Sequence, residues 1–167
     1  YNFINIGIAG VGHPIDGVNG KTNGGDTTMS GAGITTLTAK GGGYGGWSAA
    51  AGVAGGSGGG GGFNGTSTAP ASNQATGFGS YTGIGFGNEG GGGSLGAGSN
   101  SGGGGGGAGG TGGDGFQVNP PEGGIGKQIN INGTNTWFSG GGSGAGHSGT
   151  NVYSQAQTQG SGYTTVD

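Results

Sequence analysis

Apolar residues along this chain fall into three short bursts separated by stretches with almost no side chain. The first burst is 1–11, where Tyr1 and Phe3 alternate with Ile4, Ile6 and Ile8. A period of two predicts a strand. The second is 33–40, read as Ile34-Thr35-Thr36-Leu37-Thr38-Ala39, β-branched and preceded by the turn signal Asn23-Gly24-Gly25-Asp26. The third is 127–138. There Lys127-Gln128-Ile129-Asn130-Ile131 meets Asn132-Gly133, a hairpin-turn dipeptide, and is answered by Asn135-Thr136-Trp137-Phe138.

Between the bursts lie glycine tracts at 41–62, 90–115 and 140–149, the longest unbroken run being Gly102 to Gly107. As a flexible linker, such text would carry only Gly and Ser. Here Phe, Tyr, Trp, Asn and Thr interleave it regularly, which favours packed polyproline-II-type helices built of glycine. Such a helix has three residues per turn, rises ~3.1 Å per residue and makes no internal hydrogen bond. Every N–H and C=O therefore needs an outside partner, and a neighbouring helix supplies it only where no Cβ intervenes. Contact on one side requires Gly at every third position, contact on two sides G-G-x, and contact all round unbroken Gly. Gly102, Gly103, Gly104, Gly105, Gly106 and Gly107 are thus expected at the centre of a bundle. Trp47, Trp137 and Phe138 are expected to cap it as a small apolar core. Replacing Gly104 or Gly105 by Ala or Val is expected to collapse the fold, and a change at peripheral Gly65 to be milder.

Composition sharpens this. Glycine makes up 57 of 167 residues, against roughly 7% in ordinary proteins. An α-helical protein is excluded, because Gly costs ~1 kcal/mol per helical position. Collagen is excluded, because the G-X-Y period fails and only 4 prolines occur. The fold class is therefore irregular, all-β-like, with short strands and essentially no helix. The chain reads as one glycine-rich domain, 1–167, a portion of something longer. With no cysteine, a disulfide scaffold and a zinc ribbon are excluded. Lys21, Lys40 and Lys127 are the whole cationic complement, too little for the counterion release that drives nucleic-acid binding. No apolar run is long enough for membrane insertion as a helix.

Apparent chemical motifs dissolve on inspection. Gly7-Ile8-Ala9-Gly10-Val11-Gly12 imitates a dinucleotide-binding turn, but Pro14, Gly17 and Gly20 forbid the helix that must follow. Gly20-Lys21-Thr22 imitates the end of a P-loop whose first glycine would fall at Ile15. His13 and His147 stand far apart without clustered carboxylates, so no metal is expected. Asp114 in Thr111-Gly112-Gly113-Asp114-Gly115 echoes a calcium repeat without its period of nine. No nucleophile, base and acid can be grouped; an enzyme is not expected, nor any cofactor.

Two stretches resemble a recurrent glycine-rich domain of bacteriophage tail fibres. One is Asn23-Gly24-Gly25-Asp26-Thr27-Thr28-Met29 through Ile34 to Gly43. The other runs from Gly123-Gly124-Ile125-Gly126 through Ile131-Asn132-Gly133 to Trp137-Phe138-Ser139-Gly140-Gly141-Gly142. The order of these segments matches over nearly the whole chain, while the family's preceding strand and first glycine tract are missing. The resemblance implies an architecture like that of the tip adhesins of T-even-like phages, a sandwich of polyglycine-II helices with variable loops. It further implies a virion-surface, extracellular location and binding to a host surface protein or glycan. Other fibre subunits, including further copies of this chain, would be structural partners. The loops expected to carry recognition are Phe63–Tyr81, with Phe63, Asn64, Pro70, Phe78 and Tyr81, and Phe116–Glu122, with Phe116, Pro120 and Pro121. Exchange of 66–76 for Gly/Ser is expected to leave stability nearly unchanged. The alternative is a purely structural role as a fibre spacer or filament subunit, with strand 1–8 offering an unpaired edge.

Overall fold

The computed structural model describes residues 2–12, 20–63, 67–75, 77–78, 81–82, 85–95, 101–115, 121–130 and 133–145. Among them there is no helix, and the regular structure is seven short strands in three small antiparallel sheets. The largest sheet joins β1 (Asn2–Asn5), β2 (Thr27–Gly31) and β3 (Ile34–Ala39), with β2 in the middle. Its register runs from Asn2 opposite Gly31 to Asn5 opposite Thr28, and from Thr27 opposite Ala39 to Gly31 opposite Ile34. The β2–β3 turn is Ala32-Gly33, and Gly33 takes a φ of 75°, which a side chain disfavours. Strand β1 is shorter than the 1–11 alternation predicts. Strand β2 carries little apolar signal, and pairing on both sides makes it a strand.

The third burst forms the expected hairpin, β6 (Lys127–Ile129) with β7 (Thr136–Phe138), Gln128 facing Trp137. Its connection spans 130–135, wider than a two-residue turn. A further hairpin, β4 (Gly77–Phe78) with β5 (Tyr81–Thr82), lies in the middle of the chain.

The glycine tracts are tied to one another by backbone hydrogen bonds with a period of three. The N–H groups of Gly102, Gly105 and Ala108 donate to the carbonyls of Ala145, Gly142 and Ser139. Those of Gly103 and Gly106 donate to Gly61 and Gly58, and those of Gly104 and Gly107 to Gly113 and Gly110. Successive residues of one run thus address three different neighbours in rotation. These three pairings are antiparallel. Others run parallel, as where Gly58 and Gly61 donate to Asn88 and Gly91, and Gly112 and Gly115 to Glu89 and Gly92.

The interior is therefore main chain. Within the longest run only Gly105 is half-buried, while the other five glycines are buried, as expected. Ser101, at its start, is the largest side chain fully enclosed among the described residues. Aromatic residues do not form the core that the sequence suggests. Trp47 and Phe138 are exposed and Trp137 is half-buried. Tracts whose carbonyls and amides meet directly leave no room for a ring between them, so the rings settle on the outside.

The same geometry separates two glycines that the sequence treats alike. A Cβ on Gly104 would overlap the carbonyl oxygen of Glu122, which is backbone and cannot step aside. A Cβ on Gly105 would sit 3.5 Å from the Gly142 nitrogen and 3.6 Å from its oxygen, ordinary contact. The expectation that both positions are equally intolerant of alanine is corrected for Gly105; Gly65 lies outside the described residues. Gly104→Ala is expected to cost upwards of ~3 kcal/mol and to lower Tm by roughly 10 °C. Gly105→Ala should shift Tm by less than about 3 °C. Calorimetric melts of the two variants beside the parent chain check both values.

Candidate functional site

Little conventional site chemistry is available, because among the described residues side-chain hydrogen bonds run mostly to the backbone. Asn23 accepts from the Tyr44 N–H at 3.0 Å and donates to the Ala54 carbonyl at 3.0 Å, joining two segments. Gln74 accepts from the Lys40 N–H at 2.7 Å and donates to the Thr38 carbonyl at 3.2 Å, fastening 72–74 to the end of β3. Asp114 accepts from the Gly92 N–H at 2.7 Å, so the residue that echoes a calcium repeat acts as a staple. Among the described residues no three metal-ligating side chains come together. Also among them, no helix is long and apolar enough to cross a membrane.

Asp26 belongs to the same class. Its carboxylate takes the Lys40 ammonium at 2.7 Å and the Gly41 N–H at 3.1 Å. The hydrogen bond from Lys40, then that from Gly41, holds its carboxyl below the ordinary value.

The expected recognition residues are placed unevenly. Asn64, Phe116 and Pro120 lie outside the described residues, as do His13 and His147. Phe78 and Tyr81 face each other across the β4–β5 hairpin. Pro70 is buried, and its carbonyl accepts from the Gly90 N–H. The carbonyl of half-buried Pro121 accepts from Gly144. Segment 67–74 is thus part of the scaffold rather than a loop. Ser67 receives the Gly93 N–H, the Asn73 N–H donates to Gly55, and the Ser72 hydroxyl donates to the Gly56 carbonyl at 2.6 Å. The expectation that 66–76 can be exchanged at little cost is corrected accordingly.

Phe63 does reach a surface feature. Its ring meets Trp47 edge to face, with centroids 5.1 Å apart. The pair lines a groove of about 520 Å3, open to solvent, whose other walls are mostly glycine, from 59–62, from Gly102, Gly103 and Gly105, from Gly43, Gly45 and Gly46, and from 142–145. Among the described residues no charged side chain lines it. Trp47 is 50% exposed there, carried on a turn where Ser48 has a φ of 55° and Ala50 donates back to the Trp47 carbonyl. The sequence nominates Trp47 for the core and gives no sign that tracts remote in the chain would form the groove.

Two other surfaces differ in chemistry. A groove of about 380 Å3 carries Lys40 and Lys127, the latter 5.1 Å above the Phe86 ring. On β1, an edge strand among the described residues, and just beyond it, Phe3, Ile4, Ile6, Ile8 and Val11 are all exposed, Ile8 being 80% exposed. No protein-family model, curated protein or solved structure matches the chain.

The Asp26–Lys40 staple generates a pH prediction. A carboxyl titrating lower in the folded chain stabilises the fold above its unfolded value and loses that contribution as pH falls through the folded one. Stability is therefore expected to decline below about pH 4, and Asp26→Asn should flatten that decline while lowering Tm slightly at pH 7. Thermal melts of both chains from pH 7 to pH 2.5 check it.

Proposed function

We propose that the glycine tracts are polyglycine-II helices forming a rigid bundle, and that this bundle is a bacteriophage tail-fibre or tail-tip domain presenting surface residues to a host-cell receptor. The observation that carries the reading is the inversion of inside and outside. Backbone groups occupy the interior with a hydrogen-bond period of three, while rings such as those of Trp47 and Phe138 are left to the periphery. A period of three is that of the polyproline-II helix. A scaffold held by main-chain bonds keeps its loops in place without depending on their side chains, so loop residues are free to serve recognition. The role is non-catalytic, with a host surface protein or glycan as partner and no cofactor or nucleic acid.

The second reading is a structural spacer or filament subunit. The exposed apolar residues from Phe3 to Val11 favour it, since exposed apolar surface at a sheet edge marks assembly contacts.

Adsorption separates the two. Virions carrying Phe78→Ser with Tyr81→Ser, or Phe116→Ser, are expected to assemble normally and to lose at least about tenfold in adsorption rate, the equivalent of ~1.4 kcal/mol. Unchanged adsorption in both would leave the spacer reading. Ile6→Asp with Ile8→Asp should instead reduce assembly if that reading holds.

A further inference from the structure

We infer that the groove beside Trp47 is a binding site for a neutral oligosaccharide, whose ring lies on the exposed indole and whose hydroxyls meet glycine backbone groups. This rests on the receptor-binding reading and narrows it to a site and a ligand class. At about 520 Å3 the groove falls within the range of small-molecule sites. Its aromatic pair is built for stacking. Phe63 stands edge-on to Trp47, 84° between the ring planes, and supports the indole, half of which remains open to solvent. A large flat ring with a polar N–H suits a partner that is apolar on one face and hydroxylated at its rim.

The remaining walls supply hydrogen bonds without side chains. Among the described residues, the N–H groups of Gly60 and Gly142, both in the groove, donate no hydrogen bond. Gly60 is buried, but Gly142 is exposed, and its amide is an open donor for a sugar oxygen. Groove shape is equally permissive. A Cβ on Gly142 would meet nothing within 4 Å.

Charge selects the class. With no ionisable group lining it among the described residues, the groove offers nothing there to compensate a desolvated carboxylate, sulfate or ammonium. Anionic sugars would instead favour the second groove, where Lys40 and Lys127 stand.

The test is a printed array of neutral and acidic oligosaccharides probed with the fluorescently labelled chain, alongside adsorption of the same chain to host cells. The expected result is retention on neutral glycans, weakened at least about tenfold by Trp47→Ala and by Gly142→Leu and unaffected by Phe138→Ala. Gly142 lines the groove and a Cβ there meets nothing within 4 Å, so Gly142→Leu adds bulk at the groove with no clash at Cβ; it is expected to melt like the parent and decides the matter if Trp47→Ala fails to fold. Three outcomes overturn the proposal: no retention on any glycan, retention on acidic glycans alone, or retention indifferent to Gly142→Leu. If the chain adsorbs to cells in those cases, the receptor-binding reading stands without this site. If it does not, both fall.

Discussion

Main-chain hydrogen bonding between segments remote in sequence is the interaction on which the rest of this structure depends. In most proteins apolar side chains exclude water and the backbone satisfies itself within helices and sheets. Here, outside the short strands, amides and carbonyls find partners in other tracts, three residues apart along each. That solution works only where the chain has no Cβ, because a methyl group on Gly60, Gly103 or Gly104 would overlap a neighbouring carbonyl. The abundance of glycine, entropically costly to order, follows from that one steric demand.

Other features follow from it. Side chains are displaced to the rim, so the apolar residues are exposed and the polar ones become fasteners between tracts. Asn23, Gln74, Asp114 and Asp26 each accept a backbone N–H from a segment remote in sequence. The grooves are consequences too. Where tracts part slightly, the walls are mostly glycine, and any chemical character comes from a few larger lining residues, Trp47 and Phe63 in one case, Lys40 and Lys127 in another.

The scaffold is chemically sparse. It contains no disulfide to be reduced, few ionisable groups to titrate, and almost no apolar core. Its dependence on position is uneven: Gly104 and Gly105 are adjacent, yet only one of them has a carbonyl where a Cβ would go.

The sequence by itself determined the absence of helix among the described residues, the strands at 34–39 and within 127–138, and the burial of most of Gly102–Gly107. Each of these rests on a local property: the helical cost of glycine, alternation of side chains, and the need for contact on every side. What the tertiary structure alone decided is which tracts are neighbours and in which direction they run, since runs of identical residues carry no register of their own. It also decided that 67–74 joins the scaffold through Ser67, Pro70 and Ser72, which in sequence read as loop residues. Strand β2 became a strand because β1 and β3 flank it, not because Thr27–Gly31 has a strong preference. Trp47 moved from expected core to groove for the same reason. Hydrophobicity alone places a tryptophan inside, but an interior with room only for main chain leaves the ring on the surface.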